Sequence, residues 1–355
     1  MDVRSPGEYA HAHIPGAISL PLFTDEERTV VGTAYKQQSK EQAIKIGLKY
    51  FGPKMVVMVE EVEALVNNGK PKNDLPANDP MTVIVHCWRG GMRSAGVAWV
   101  LSLYGFKVYT IVGGYKAYRG WVRMQFENTY NFNILGGYTG SAKTKLLYLL
   151  AKKQQQIIDL EGLASHKGSA FGKIGMPQQP SQEMFENVLA EALFLATTKL
   201  PISNSKTANC GIWLEDESQR IGDVMLPDAV WKQMRSSPVY FLDIPFEERL
   251  NYLVKDYGKG QIEEFVNAVI RIKKRLGGLE AKTAINYLME GEMKEAFRVL
   301  LTYYDKWYKK GLYNRDNMGN LLAEMPFADV LQKDTAEILI ATAQQKEMAP
   351  NEGTI

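Results

Sequence analysis

Met81-Thr82-Val83-Ile84-Val85-His86-Cys87-Trp88-Arg89-Gly90-Gly91-Met92-Arg93-Ser94 is the stretch on which the reading of this 355-residue chain turns. Its first six residues form a short, β-branched apolar run behind Asp79-Pro80, which is the pattern of a buried strand. From Ser94 to Leu103 apolar residues recur at helical spacing, and Gly105 closes the helix. Lys107–Val112 reads as a second strand, ended by the Gly113-Gly114 turn. Strand, loop, helix, strand is the rhythm of a parallel sheet, so the chain is read as α/β. The loop then lies between a strand end and a helix start, where backbone N–H groups converge on an anion.

A thiolate is the reactive form of cysteine, and its charge needs stabilising. Here the helix start sits beneath Cys87, and Arg89 and Arg93 supply forked cationic donors. Gly90 and Gly91 are expected to permit the curl, with Trp88, Met92 and Ser94 completing the loop. A buried cysteine at a strand end is the plainer alternative. Two arginines and two glycines directly behind it favour an oxyanion site, with Cys87, Arg89 and Arg93 as its catalytic candidates.

A second strand–loop–helix unit begins at Asn131. Phe132–Leu135 reads as a strand, Lys145–Lys152 as a helix, and Gly137-Tyr138-Thr139-Gly140-Ser141-Ala142-Lys143-Thr144 lies between them. This is nearly a phosphate-binding P-loop. Its N–H groups cradle phosphates, Lys143 reaches outer phosphate oxygens and Thr144 is a ligand for Mg²⁺. Ala142 stands where a second glycine is expected. In helical geometry it costs little, and at positive φ it distorts the loop. Ile157–Leu160 and Gly211–Leu214 read as strands ending in carboxylates; any of Asp159, Glu161, Glu215, Asp216 or Glu217 is placed to hold Mg²⁺, with Asp159, Glu161 and Glu215 the leading candidates for Mg²⁺ or diphosphate contact. Val239–Leu242 reads as a further strand, and Ser181–Thr197 as a helix with Ser181 as N-cap. From Pro245 to about Lys346 the pattern is mostly helical, and Met348–Ile355 reads as a frayed tail. The expected organisation is a domain over 1–125, a P-loop α/β domain over 126–245 and a mostly helical region over 246–355 packed on it, with the boundary near Arg123–Asn131.

Composition narrows the function classes. The apolar share is 45% and the charged share 23%, ordinary for a globular chain. No run approaches the roughly 18 apolar residues of a membrane span. The start, Met1-Asp2-Val3-Arg4, lacks the apolar core of a signal peptide, so no membrane association and a cytoplasmic location are expected. Two cysteines, Cys87 and Cys210, make no disulfide framework, and the four histidines are too scattered for a structural metal site. A net charge of +2 neither demands nor excludes a nucleic-acid partner.

Read by letter, His86-Cys87-x-x-Gly90-x-x-Arg93-Ser94 matches the signature of cysteine-dependent phosphatases. Asp2-Val3-Arg4-Ser5-Pro6-x-Glu8-Tyr9, His13-Ile14-Pro15-Gly16-Ala17 and Gly113-Gly114-Tyr115-Lys116-Ala117-Tyr118 instead resemble rhodanese domains, which carry sulfur or selenium on their cysteine. Over almost the whole length the chain resembles the bacterial tRNA 2-selenouridine synthases. The carriers are Asp25-Glu26-Glu27-Arg28, Val31-Gly32-Thr33, Tyr35-Lys36-Gln37-Gln38, the Cys87 loop, Thr139-Gly140-Ser141 and Asp159–Gly172. They continue with Gln179-Pro180-Ser181-Gln182, Phe185-Glu186-Asn187, Glu215-Asp216-Glu217-Ser218, Ile221-Gly222, Lys273-Lys274-Arg275-Leu276-Gly277 and Tyr303-Tyr304-Asp305.

The resemblance implies an N-terminal rhodanese-like domain fused to a P-loop α/β domain with a helical C-terminal part. It also implies that the first rhodanese strand is missing or incomplete here, because Met1 stands directly at Asp2. The implied activity is a two-step change of a tRNA wobble base from 2-thiouridine to 2-selenouridine. Geranyl diphosphate first alkylates the sulfur to S-geranyl-2-thiouridine, and selenophosphate then delivers selenium. Cys87, Arg89 and Arg93, with Trp88, Gly90, Gly91, Met92 and Ser94, are the implied selenophosphate loop. Gly137, Thr139, Gly140, Ser141, Ala142, Lys143 and Thr144 are the implied diphosphate loop, with Mg²⁺ at Thr144 and nucleotide binding left open. His166, Lys167, Ser169, Lys273, Lys274 and Arg275 are candidates for contact with the anticodon region of tRNA. Tyr303, Tyr304, Trp307 and Tyr308 read either as core packing or as a stacking surface. An enzyme that supplies selenophosphate is an expected partner. The rival readings are a cysteine-dependent phosphatase and a P-loop kinase or NTPase with a scaffolding rhodanese domain.

Overall fold

The computed structural model describes residues 1–67, 81–169, 171–198, 211–257 and 261–348. Asp79-Pro80, Ala170, Cys210 and the tail after Met348 lie outside the described residues. The chain divides into two compact units, Met1–Met124 and Gln125–Ile355.

In the first unit β1 (Thr82–Val85) and β2 (Lys107–Thr110) pair in parallel, Thr82 opposite Lys107 through Val85 opposite Thr110. The helix Met92–Tyr104 joins them and ends at Gly105, whose φ of 113° only glycine adopts freely. The expected fully buried strand is covered on one face: Val83 and Val85 point into the core while Thr82 and Ile84 are exposed. Val3, Leu20, Val85, Val97 and Leu101 form that core, closed by Phe51 and Val62 from the preceding helices Lys40–Phe51 and Met55–Asn67. The first rhodanese strand is incomplete, as expected: of Met1–Val3 only Asp2 bridges its neighbours, Ser19 and His86. Val3 N–H donates to the His86 carbonyl (2.9 Å), His86 N–H to the Met1 carbonyl (3.0 Å), and Leu20 N–H to the Asp2 carbonyl (2.9 Å).

The Asp2-Val3-Arg4 sequence has a packing reason. Asp2 and Arg4 are both buried, and the Arg4 guanidinium donates to the Asp2 carboxylate from Nε (2.9 and 3.0 Å) and Nη2 (2.6 Å). A further bond reaches the Ala12 carbonyl at 2.7 Å, and the guanidinium lies 3.8 Å from the Tyr115 ring centroid. An ion pair so enclosed ties the N-terminal segment to the turn that follows β2, because removing either partner leaves an unpaired buried charge.

The second unit adds β3 (Phe132–Gly137), β4 (Gln156–Ile158), β5 (Ile212–Glu215), the short pair β6 (Arg220–Ile221) and β7 (Val224–Met225), β8 (Val239–Asp243) and β9 (Leu322–Pro326). Five of them form a parallel sheet in the order β4-β5-β3-β8-β9, and β6-β7 is an antiparallel hairpin. All six residues of β3 are buried, as expected of a central strand of a covered parallel sheet. The loop after β3 therefore opens at the carboxyl edge of the sheet between two neighbouring strands, where α/β folds bind ligands.

Three expectations need adjusting here. The P-loop helix starts at Lys143, not Lys145. Leu160 is not in a strand but opens a short helix, Leu160–Ala164, capped by Asp159. The C-terminal region also supplies the edge strand β9, a five-residue segment ending in Pro326, which edge positions tolerate. Ser181 caps its helix as read, its hydroxyl accepting Met184 N–H at 3.1 Å. The helices Phe246–Tyr257, Ile262–Leu276, Gly278–Met289 and Met293–Leu312 build a core of their own around Phe265, Phe297, Leu300 and Leu301, joined by Phe171. Among the described residues no helix is long and apolar enough to cross a membrane.

Candidate functional site

Cys87 stands at the end of β1, almost fully buried, with its sulfur 3.3 Å from the Ser94 hydroxyl. Burial alone pushes the thiol up. Hydrogen bonds from the Ser94 hydroxyl and from the N–H groups of Ser94, Arg89 and Gly91 outweigh it, holding the thiol below its ordinary value. The loop is closed from outside by the turn after β2. Tyr115 N–H donates to the Cys87 carbonyl and Lys116 N–H to the Trp88 carbonyl, both at 2.9 Å. Gly114 (φ 58°) lies so close that a Cβ would come within 2.3 Å of the Cys87 carbonyl oxygen. Gly90 (φ 66°) would likewise drive a Cβ to 2.7 Å from the Ile111 carbonyl oxygen. Gly91 differs from its expected role: it turns with φ −103° and has open space at its Cβ, so the curl rests on Gly90 and on the unforeseen Gly114.

The two arginines part company. Arg93 donates to Glu8 at 2.9 Å, and that contact helps hold the Glu8 carboxyl below its usual range against the opposing effect of burial. Arg89 is exposed at the loop, as are Trp88 and Met92. His86 is buried 3.8 Å from Asp2, and burial lowers its pKa, so it is a neutral packing residue.

The second loop joins β3 to the helix Lys143–Lys152. Lys143 Nζ folds back onto the Gly137 carbonyl at 2.9 Å, and the Ser141 hydroxyl donates to the Tyr138 carbonyl at 2.6 Å. Ala142 sits at φ 53°, ψ 36°, in the left-handed region, so the departure from glycine does strain the loop, by about 1 kcal/mol. Four residues absent from the sequence-derived site support the loop from the helical region. Arg249, buried, donates to the Thr139 carbonyl (3.1 Å) and makes a forked pair with Asp305 (2.9 and 2.7 Å). Tyr308 accepts Gly137 N–H at 3.0 Å and donates to Asp216 at 2.7 Å, and Asp216 also pairs with buried Arg315. Asp305, Asp216 and Tyr308 carry a sequence signal, as members of quoted segments, though Tyr308 reads there as packing or stacking. Arg249 lies in plain helical sequence and Arg315 in the turn after the helix Met293–Leu312.

The carboxylates divide by geometry. Asp159 accepts Gly162 N–H (2.8 Å) as a helix cap and the Tyr148 hydroxyl (2.7 Å), so both its oxygens are engaged; Tyr148 is pushed up to about 12 in consequence. Thr144 donates to Glu215 at 2.6 Å and approaches Glu161 at 3.2 Å. Glu215 is buried, and its Oε2 has no partner. Loss of solvation, reinforced by neighbouring carboxylates, pushes Glu161, Glu215 and Glu217 upward. Lys143 is the cation that opposes this. Among the described residues no group of three or more His, Cys, Asp or Glu has metal-holding geometry.

The basic run splits by helical period. Arg271 and Arg275, four apart, line a cleft of about 560 Å³ with His166 and Ser169, whereas Lys273 and Lys274 are exposed outside its lining. Lys167 turns away as well, over the Tyr257 ring (4.6 Å) and toward Asp256 (4.0 Å). Tyr303 and Tyr304 line the cleft, Trp307 is half exposed, and Tyr308 belongs to the P-loop support.

Two outcomes follow. Ser94→Ala removes a donor to the sulfur and raises the pH midpoint of iodoacetamide alkylation at Cys87 by about 1–2 units. Mass spectrometry of the Cys87 peptide reads this, and an unmoved midpoint refutes the hydroxyl's role. For the glutamates, folded-state values lie above unfolded ones, so their contribution is full below the unfolded value and is lost as pH rises through the folded one. Glu215→Gln therefore raises the melting midpoint at pH 8 by about 2–4 °C and leaves that at pH 4 nearly unchanged. An equal shift at both pH values contradicts the assignment.

Residues 130–332 match the family model described as the tRNA 2-selenouridine synthase AAA domain, and residues 1–120 match the rhodanese-like domain. A tRNA 2-selenouridine synthase of a Sulfurovum species is 33% identical over 340 residues, covering 88% of this chain and 87% of the relative. That of Shewanella denitrificans is 37% identical over 299 residues, covering 78% and 75%. That of Marinobacter nauticus is 33% identical over 340 residues, covering 87% and 86%. With one family model spanning more than half of the chain and such relatives matched over most of their length, the chain belongs to the tRNA 2-selenouridine synthase family of enzymes.

Proposed function

We propose that this protein converts a 2-thiouridine of tRNA to 2-selenouridine in two steps, through S-geranyl-2-thiouridine. Geranyl diphosphate binds at the Gly137–Thr144 loop and selenophosphate at the Cys87 loop. The observation that carries the reading is the presence, in one chain of this family, of two loops that each join a strand end to a helix start. One carries Lys143 and Thr144 at the head of its helix, and the other turns N–H groups onto a thiol held below its ordinary pKa. A phosphatase uses only the second loop and a kinase only the first.

The chemistry needs both steps because a thiocarbonyl sulfur is a poor leaving group and a thioether on C2 is a good one. The base sulfur attacks C1 of the geranyl group, the C–O bond breaks, and diphosphate departs with the bonding pair. Lys143 and the loop N–H groups stabilise that departing charge. The Cys87 thiolate then attacks C2, the C2–S bond to the geranyl group breaks and geranylthiol leaves with a proton. Selenium of selenophosphate attacks C2 in turn and the Cys87 thiolate departs, after which water cleaves the Se–P bond to release phosphate. Arg89 and Arg93 serve as anion clamps. The donor set suits Mg²⁺, since Thr144 and the unpartnered Glu215 Oε2 are hard oxygen ligands. A bound ion there would add neutralising charge at the diphosphate. The tRNA substrate makes this a cytoplasmic reaction, and an enzyme that forms selenophosphate is the supplier of the second substrate.

The test is to mix the protein with 2-thiouridine tRNA, geranyl diphosphate and selenophosphate and to weigh the digested nucleosides. Wild type yields geranylated and then selenated uridine. Lys143→Ala slows geranyl transfer by about 10²–10³-fold, and Cys87→Ser given pre-geranylated tRNA loses selenation. Products with neither a geranyl nor a selenium gain would sink the reading, and undiminished selenation by Cys87→Ser would remove the cysteine from it.

A further inference from the structure

The cleft of about 560 Å³ in the second unit is not used by either anion loop. Its size falls within the range of about 300–1,000 Å³ typical of sites that enclose a small-molecule-sized group. Arg271 and Arg275 enter from the helix Ile262–Leu276, Arg220 from β6 and Lys173 from the loop between the helices Leu160–Ala164 and Gln182–Thr198. Four cations thus meet one carboxylate, Asp223, and Lys173 engages it at 2.7 Å. Three of the four cations are guanidinium groups, the side chain best shaped for phosphate oxygens.

The lining also carries aromatic rings. Tyr303 packs edge-on against Tyr304, with ring centroids 5.3 Å apart at 69°. Tyr304 is anchored in turn on Phe171 of the helical core (6.2 Å, 70°). Trp307 lies behind Tyr303 at 6.2 Å. His166, also in the lining, is held in place. A Cβ on Gly172 would fall 2.5 Å from its ring and one on Gly222 2.7 Å from it, and the buried Nδ1 has no partner. Burial and nearby Lys173 lower its pKa, so it is a neutral imidazole able to donate or accept a hydrogen bond.

Guanidinium groups, aromatic rings and a fixed neutral hydrogen-bonding imidazole in one lining fit a splayed-out nucleotide. The phosphodiesters take the cations and the base stacks, which is how single-stranded RNA is recognised. A duplex, whose bases are inaccessible, fits the cations but leaves the tyrosines unused. The cleft also leads toward the chemistry, because Ser169 and Tyr304 line both it and a small apolar cavity that reaches Thr139 of the P-loop.

We propose that this cleft seats the single-stranded anticodon loop of the RNA substrate, with Arg271, Arg275 and Arg220 on its phosphodiesters and Tyr303 against an unstacked base. The proposal rests on the tRNA reading above and adds where the RNA is held.

Its test reads binding, not turnover, on the full chain, by fluorescence anisotropy of a labelled anticodon stem-loop over a range of salt concentrations. The double charge reversal Arg271→Glu/Arg275→Glu weakens binding by about 10²-fold and lowers the salt slope by about 2. Tyr303→Ala weakens it by about 5–50-fold with the slope unchanged. Lys333→Glu, exposed and off the cleft, leaves affinity within about twofold of wild type. Thermal melting confirms that each variant is folded. A folded double variant that binds as tightly as Lys333→Glu overturns the proposal. So does a blunt RNA duplex that competes as well as the unlabelled stem-loop, or uridine monophosphate filling the cleft while both variants keep full RNA affinity. A protein that holds RNA in the cleft yet makes no selenouridine would sink the proposed reaction and leave this site standing.

Discussion

An anion can be held by main-chain N–H groups only where the chain folds more tightly on itself than side chains allow. Both loops of this protein are built on that constraint. At the Cys87 loop it is met from outside, since Gly114 presses to where a Cβ would lie 2.3 Å from the Cys87 carbonyl. At the P-loop it is met from beneath, since a Cβ on Gly140 would lie 2.8 Å from the Arg249 carbonyl. Ala142 marks the same demand by meeting it badly: it holds a left-handed φ that glycine would adopt without strain. The strain persists because the surrounding elements over-determine the turn.

Those elements explain why the P-loop domain needs its long helical region. The forked pair of Arg249 with Asp305 and the relay from Tyr308 through Asp216 to Arg315 link the loop to residues more than a hundred positions away. The same region supplies β9 to the sheet and Arg271, Arg275 and Tyr303 to the basic cleft. Three carboxylates crowded beside Thr144, each disfavoured as an anion, form a site that a cationic group at the loop would relax. The charge pattern at the loop is thus one cation, Lys143, set against buried acids.

Much of this was legible in the sequence where the signal is local. Strand, glycine-containing turn and helix are specified by neighbouring residues, so both loops and their central strands stand out. Cys87, Lys143 and Thr144 are set by position within those turns. What was not legible is carried by distance. Gly114 matters because of where β2 delivers it, and Arg249 because the Asp305 that orients it lies a whole helical subdomain later. Asp159 looked like a strand-end ligand because Leu160 continues an apolar run, yet Gly162 N–H makes it a helix cap. Leu322–Pro326 carries no alternation and ends in proline, so nothing in its own sequence marks it as the fifth strand. The basic run Arg271–Arg275 had the right residues but not their faces, which the helical period assigns once one wall of the cleft is known.

The central claim is that the two loops take different anions, and calorimetric titration of the full chain with geranyl diphosphate and with thiophosphate, a stable stand-in for selenophosphate, tests it most directly. The account predicts one site for each, without competition. Lys143→Ala loses only the diphosphate, and Arg89→Ala/Arg93→Ala weakens only thiophosphate, by about tenfold or more. Competition of the two anions for a single shared site, or loss of both in the Lys143 variant, would contradict it.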